Sequence, residues 1–303
     1  MNGWEEQGGA VADRDVSDIG RGSSPSEPDP TPLPTEGLEP IRFARALADA
    51  QPFKDGNISD TYRGQILIDS GETVLPAILK DLPLRELANE LLGAVVVREL
   101  GLPAPVSYLA IAPPEAFAAT KAPVSPEGDR LVFASSEQPT PSLKQRWISA
   151  SDAGRATLLE SVASWPQAGG AYVVDSWIAN VDRNLGNLLF GAAGETWLID
   201  HGQALTGPVW TAGDLRADGE YVNKLALWMT PSMTAAQIKA ALALVAQMER
   251  RLPTLDIDAL LQASHLPALL PAHDLEAVRS FLQERIPFVG YYASKALGEA
   301  RLV

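Results

Sequence analysis

Two polar clusters around a pair of short apolar runs decide the fold of this chain. They read Asn180-Val181-Asp182-Arg183-Asn184-Leu185-Gly186-Asn187-Leu188-Leu189-Phe190 and Thr196-Trp197-Leu198-Ile199-Asp200-His201-Gly202. The segment between the two apolar runs, residues 191–195, is short and contains two glycines, which predicts an antiparallel hairpin. Asn187 enters one strand and Asp200 leaves the other, so we expect the two side chains to lie side by side at the open end of the hairpin.

The types and spacing of three polar residues indicate phosphoryl-transfer chemistry. The side-chain oxygens of Asn187 and Asp200 are suitable ligands for a hard cation such as Mg²⁺, which neutralises charge on phosphates. Asp182 precedes Asn187 by five residues, so its carboxylate can face the same site without binding the metal. The pattern therefore predicts that Asp182 orients or deprotonates an attacking hydroxyl group.

A lysine and two glutamates upstream are further candidates for this site. Lys80 closes an apolar strand pattern, and Glu86 and Glu90 are four residues apart on the predicted helix that follows. Residues at this spacing share one face of a helix. Either glutamate could pair with Lys80, and the sequence leaves this choice open.

The first part of the chain has strand patterns and one well-framed helix. Residues 62–68 and 72–80 predict two strands around a turn at 69–71, because turn-forming residues separate two apolar segments. A proline at its start, a helical apolar stripe and a glycine beyond its end predict a helix over about 84–100. A buried strand at 131–133 is predicted to lead into a polar connector, residues 134–142.

The second part of the chain has helical periodicity. Helices are predicted over about 151–164 and 168–179, after Thr234, where Thr-Ala-Ala-Gln matches a capping box, and over 274–286. The fold class that follows is α+β and bilobal, with a small β-rich lobe before a larger helical lobe. We expect a tail over residues 1–40, an N-lobe over 41–135 and a C-lobe over 136–303.

The sequence resembles the HipA-like kinases and, more distantly, the phosphatidylinositol 3- and 4-kinases, over about residues 55–205. The segments that carry the resemblance keep the family's order and spacing. They are Ala77-Ile78-Leu79-Lys80, Asn89-Glu90-Leu91 continuing to Leu100-Gly101-Leu102-Pro103-Ala104-Pro105, Asp182-Arg183-Asn184 with Asn187, and Ile199-Asp200-His201-Gly202. The resemblance implies a bilobal protein-kinase-like fold.

The resemblance also implies a role for each site residue. Lys80 would bind the α- and β-phosphates of ATP, and Glu90 would position Lys80. Asp182 would be the catalytic aspartate, and Asn187 and Asp200 would hold Mg²⁺. The expected acceptor is a hydroxyl group, on a serine or threonine of a protein.

Several features depart from the pattern of ordinary eukaryotic protein kinases. No Gly-x-Gly-x-x-Gly precedes Lys80, and Asn180-Val181 replaces His-Arg before Asp182. The loop that covers the phosphates would instead be residues 56–60, with Asn57 and Ser59 among its nucleotide-binding groups. The chain is also short before Lys80 relative to the longer HipA toxins, so their substrate recognition is not carried over.

Composition excludes several functional classes. The formal net charge is -14, which repels nucleic acids and anionic membrane surfaces, so neither is an expected partner. The chain has no cysteine, which excludes disulfides, thiol nucleophiles and cysteine-bound zinc. Its three histidines leave little for a metal site made of histidines alone. No secretory signal pattern is recognisable, and a cytoplasmic location is expected. The tail, residues 1–40, contains six prolines and nine acidic residues, a composition typical of a solvated leader.

Two other functions are compatible with the same motifs. A kinase-like site fixes the nucleotide without fixing which phosphorus is attacked, so transfer of AMP is one alternative. A nucleotide-binding pseudokinase that acts through protein interactions is the other, although the presence of Lys80, Asp182, Asn187 and Asp200 argues against it. An inhibitory partner protein is also possible by the same resemblance.

Overall fold

A β-rich region precedes a helical region in this protein. The computed structural model describes residues 38–53, 60–68, 73–192 and 194–299. These residues all belong to one compact unit, Leu33–Val303. The predicted tail up to residue 37, the turn at 69–71, and Asn57 and Ser59 of the predicted phosphate loop lie outside the described residues.

The strands of the first region form one sheet that closes on itself. Its strands are β1 Arg42–Ala46, β2 Gln51–Pro52, β3 Asp60–Ile68, β4 Thr73–Asp81, β5 Ser107–Ala112 and β6 Arg130–Ser136. The order is β1-β5-β6-β4-β3-β2, and β1 also pairs with β3. Only the pairing of β1 with β5 is parallel. Small and aliphatic side chains such as Ala77, Ala110 and Val132 fill the interior of this ring, as a narrow barrel requires.

Helices dominate the rest of the chain. Those described are α1 Leu84–Glu99, α2 Leu143–Ser149, α3 Asp152–Ala163, α4 Ala168–Trp177, α5 Leu225–Trp228, α6 Ala235–Arg251, α7 Ile257–Ala263, α8 Leu266–Leu269 and α9 Ala272–Ala296. A short hairpin of β7 Leu188–Phe190 and β8 Thr196–Leu198 interrupts them. None of the helices in the described part of the chain has the length and apolar character that crossing a membrane requires.

The expected β-rich first part and helical second part are confirmed, with several corrections to individual elements. The predicted connector at 134–142 begins too early, because β6 pairs with β4 as far as Ser136 and with β5 as far as Ser135. The helix predicted over 274–286 continues to Ala296 through Pro287. Buried residues beyond the proline, including Val289 and Ala293, pack in the core and keep this helix continuous. The predicted limits of the tail, the N-lobe and the C-lobe, at residues 40, 135 and 136, stay predictions.

One core joins α1 to the later helices. Buried side chains of α1, such as Leu91 and Val95, belong to the same cluster as Tyr172 of α4, Val245 of α6 and Phe281 of α9. Leu188 and Leu198, from the two strands of the short hairpin, belong to this cluster as well, so the helix that follows Lys80 shares its core with the hairpin. The cavity described below lies where these parts meet.

Candidate active site

The hairpin of β7 and β8 places two polar residues at its open end. Leu188 pairs with Leu198, Leu189 with Trp197 and Phe190 with Thr196. The backbone N–H of Ile199 donates to the carbonyl of Asn187 over 3.2 Å, so the chain leaving the hairpin lies beside the chain entering it. The predicted neighbourhood of Asn187 and Asp200 is thus present.

Lys80 connects α1 to the end of this hairpin. Its ammonium nitrogen lies 2.5 Å from Oε1 of Glu90 and 3.0 Å from Oδ1 of Asp200. The other oxygen of Glu90 accepts the backbone N–H of His201 over 2.8 Å. Of the two glutamates that the sequence left open, Glu90 is therefore the partner of Lys80. Glu86 lines the same cavity.

Two carboxylates share one ammonium group in this cluster. Burial raises the pKa of Glu90 to about 7, against the opposing effect of Lys80. Burial would also raise the pKa of Asp200, but Lys80 outweighs it and lowers this pKa to about 2. Burial opposes the charge of Lys80 as well, yet Asp200 and Glu90 together raise its pKa above the ordinary value. When both acids are ionised, the cluster has one negative charge more than positive charges.

Asp182 lies across the same cavity, and hydrogen bonds hold both of its carboxylate oxygens. Nζ of Lys224 donates to Oδ1, and Nδ2 of Asn184 donates to Oδ2 over 3.1 Å. The side-chain nitrogen of Asn187 donates to the Asp182 carbonyl over 2.6 Å. This bond fixes the amide of Asn187, so its oxygen is the atom that can bind a cation.

Arg183 is a structural residue next to Asp182. Its side chain is fully buried, and its guanidinium lies 2.9 Å from an equally buried Asp175 carboxylate. It also donates to the carbonyls of Asn187 and Ile199, over 3.2 and 2.5 Å. Arg183 therefore joins the loop that carries Asp182 to both strands of the hairpin at its open end. The charge partner of Arg183 is therefore the buried Asp175 and not the neighbouring Asp182.

His201 packs next to Arg183 in the interior of the site. Its Nδ1 lies 3.0 Å from a guanidinium nitrogen of Arg183. Burial, followed by the charge of Arg183, lowers the pKa of His201 well below its usual value. The imidazole is thus neutral and packs inside the site's framework.

A cavity of about 960 Å³ contains the five predicted site residues that the structure describes. Lys80, Glu90, Asp182, Asn187 and Asp200 all line it. This volume lies within the usual range for ligand sites in proteins. Leu189, Ile199 and residues 135–138 line the same cavity.

The oxygen atoms of this site suit a hard cation only if a bound nucleotide supplies further oxygen ligands. In the described part of the chain, no group of three or more His, Asp or Glu side chains could hold a metal ion. Asn187 and Asp200 supply two oxygen ligands, and Mg²⁺ commonly completes such a pair with phosphate oxygens and water. The excess negative charge around Lys80 favours a cation beside Asp200, so these residues fit Mg²⁺ bound with a nucleotide.

Three residues that organise this site were not predicted from the sequence. Asp175 and Lys224 belong to no recognised motif, and Lys224 comes 42 residues after Asp182. Asn89 donates to the carbonyls of Gly202 and Ala204, over 2.8 and 2.7 Å. Its position beside Glu90 in the quoted Asn-Glu-Leu segment was the one available signal.

Comparisons with known proteins support the family resemblance and the fold. The family model described as HipA-like kinase matches residues 79–215, which supports a kinase. The crystal structure of a Helicobacter pylori proinflammatory kinase, CtkA, is similar in fold, with a TM-score of 0.53 and 14% sequence identity. That match covers 86% of this chain and 99% of the other. No curated protein matches the chain. The predicted resemblance and the kinase-like α+β fold are confirmed.

Proposed function

We propose that this chain, which matches the HipA-like kinases over residues 79–215, is an ATP- and Mg²⁺-dependent kinase. One observation carries the proposal: the Lys80–Glu90–Asp200 cluster lines the same cavity as Asp182 and Asn187. Phosphoryl transfer needs a cation for the nucleotide phosphates, ligands for a metal and a group that orients the nucleophile. Each of these has a candidate residue around one cavity.

In the proposed reaction, the oxygen of an acceptor hydroxyl attacks the γ-phosphorus of ATP and forms a new P–O bond. The bond between the γ-phosphorus and the β,γ-bridging oxygen breaks, and its electron pair leaves with ADP. The hydroxyl proton passes to the Asp182 carboxylate and then to solvent. Mg²⁺ held by Asn187 and Asp200 would supply positive charge to the phosphates.

Lys80 has a binding role in this proposal. Its ammonium is held between Glu90 and Asp200, so it lies where phosphate groups would meet the metal ligands. The buried Glu90 fixes the position of Lys80, which reduces the reorganisation needed when ATP binds. The resemblance to HipA-like kinases supplies the serine or threonine of a protein as acceptor. This acceptor and the cytoplasmic location expected from the sequence both stay predictions.

The test uses the full chain, Mg²⁺, a cell extract and ATP labelled at either the γ- or the α-phosphate. We expect label from the γ position alone to appear on an acceptor. Asp182→Asn should lower transfer by about a hundredfold or more and leave ATP affinity unchanged. Asp200→Ala should remove most of the Mg²⁺-dependent nucleotide binding, measured by calorimetry.

Three results would contradict the proposal, provided that the variants melt at the temperature of the wild type. Transfer of α label would show adenylylation. Nucleotide binding without any transfer would indicate a pseudokinase. Unchanged binding in folded Asp200→Ala would refute the metal assignment.

A further inference from the structure

The ion pair between Lys224 and Asp182 brings a distant part of the chain into the candidate site. Lys224 directly precedes α5, and its ammonium donates to Oδ1 of Asp182. The Lys224 side chain is 39% exposed and that of Asp182 is 22% exposed. An exposed ion pair usually contributes little to stability, so its significance depends on what holds the two groups in place.

Hydrogen bonds hold the chain on both sides of Lys224. The side-chain nitrogen Nδ2 of Asn223 donates to the Tyr172 carbonyl and to Oγ of Ser176, over 3.2 and 3.3 Å. These two partners belong to α4, the helix that leads into the Asp182 loop. On the other side, Nε1 of Trp228 donates to the Arg183 carbonyl over 2.9 Å. The backbone that carries Lys224 is thus docked on the elements that carry Asp182.

Lys224 and Asn184 together determine the orientation of the Asp182 carboxylate. Each takes one lone pair on a different oxygen. A carboxylate oxygen has two lone pairs, so acceptor positions remain for a hydroxyl group.

We propose that Lys224 is a positioning residue that holds Asp182 in the orientation required to receive the hydroxyl proton. This inference rests on the proposed function, because it assigns Lys224 to the same transfer step. Lys224 acts through Asp182, whereas Lys80 contacts the nucleotide. Loss of Lys224 should therefore affect turnover rather than ATP binding.

A double-mutant cycle on the full chain tests this role. Lys224→Met should lower kcat about tenfold to a hundredfold, the scale for losing a hydrogen bond to a charged group, with ATP affinity unchanged. In the Asp182→Asn background, the same change should cost much less, because the group that Lys224 positions is already altered. Lys224→Arg keeps the charge and should retain clearly more activity than Lys224→Met.

Lys239 provides the matched control. It is exposed on α6 and is not among the residues that line the cavity, so Lys239→Met should match the wild type in turnover and melting temperature. If Lys224→Met folds poorly, Lys224→Arg carries the test. A folded Lys224→Arg protein whose kcat is as low as that of Lys224→Met or Asp182→Asn overturns the inference.

The outcomes separate this inference from the proposed function. Wild-type turnover in Lys224→Met, beside a large loss in Asp182→Asn, overturns the role of Lys224 alone. Independent, additive losses in the double mutant also overturn it, because Lys224 would then act without Asp182. If Asp182→Asn retains full activity, both the proposed function and the inference fail.

Discussion

Asp200 combines an unfavourable backbone conformation with a buried charge. Its φ is 61°, in the left-handed region that residues other than glycine rarely adopt. Its carboxylate shares Lys80 with Glu90, so two acids compete for one cation. Local strain and unbalanced charge are both costly, and proteins retain them mainly at functional sites. These features agree with a metal-binding role for Asp200.

The charge imbalance predicts a pH dependence of Mg²⁺–nucleotide binding. The pKa of Glu90 is raised to about 7, so below this pH Glu90 is protonated and the cluster is neutral. Above it, Glu90 is ionised and the cluster attracts a cation more strongly. We expect affinity to rise several-fold between about pH 6 and about pH 8, with release of protons on binding. Calorimetry in buffers of different ionisation enthalpy measures both effects.

Glu90→Gln is the control for this prediction. Glutamine has nearly the same shape but does not titrate, so the pH dependence that remains in this variant belongs to the nucleotide and to other groups. The same pH dependence in wild type and Glu90→Gln would show that Glu90 is not responsible.

At the scale of elements, α1 is the helix that aligns the site. Asn89 binds carbonyls of the segment after Asp200 and accepts the indole N–H of Trp210 over 2.9 Å. One turn further, a Cβ atom on Gly93 would lie 2.3 Å from Cβ of His201. Glycine thus permits α1 to approach the His201 backbone closely enough for Glu90 to reach both Lys80 and the His201 N–H.

Gly93→Ala tests this close approach. In an open helix, alanine is favoured over glycine by about 1 kcal/mol. Here the new methyl group meets a Cβ atom that cannot rotate away, and we expect a net loss of about 1 to 3 kcal/mol in the free energy of unfolding. Denaturant titration measures the change, and nucleotide affinity should fall with it.

Gly213→Ala is the comparison for this substitution. Gly213 is exposed, and a Cβ there would make only an ordinary contact, 3.8 Å from Oγ1 of Thr211. Its stability should stay close to that of the wild type. Equal stability of the Gly93→Ala protein would show that α1 can move away without cost.

At the scale of the whole molecule, α9 secures the segment that leads to Lys224. The buried Arg285 donates to the carbonyls of Ala217 and Gly219, each over 2.8 Å. It also donates to the Ser176 carbonyl of α4 over 2.7 Å. Burial lowers the pKa of Arg285 to about 10, yet the group stays charged at neutral pH. A single side chain thus connects the last helix, the segment before Lys224 and the helix before Asp182.

Arg285→Met should therefore destabilise the fold and reduce turnover together. The substitution keeps an apolar stem but leaves three carbonyls without their donor, and we expect a loss of about 3 kcal/mol in the free energy of unfolding. Thermal melting and kcat are the measurements. Turnover should fall even where the variant remains folded, because the segment that carries Lys224 loses its attachment.

Arg279 is the matched control on the same helix. Its partners Asp258 and Glu276 are exposed carboxylates, and such pairs contribute little. Arg279→Met should change neither melting temperature nor turnover appreciably. If Arg285→Met also leaves melting temperature and turnover unchanged, the hydrogen bonds of Arg285 are not required for stability or turnover.

The sequence alone determined the elements whose signals are local. Turn residues and apolar periodicity located β3, β4, α1 and the hairpin of β7 and β8, because these patterns depend on neighbours within a few residues. The hairpin pattern also predicted that Asn187 and Asp200 are neighbours, because the two strands of a hairpin pair and bring their outer ends side by side. The order of the polar motifs then indicated phosphoryl transfer.

The tertiary structure alone decided the contacts between distant segments. Glu86 and Glu90 lie on the same predicted helix, and only the packing of α1 selects Glu90 as the partner of Lys80. The sequence likewise contains no signal for the pairing of β1 with β5, or for Lys224 beside Asp182. Such contacts depend on how whole elements pack, which no short pattern of residues encodes.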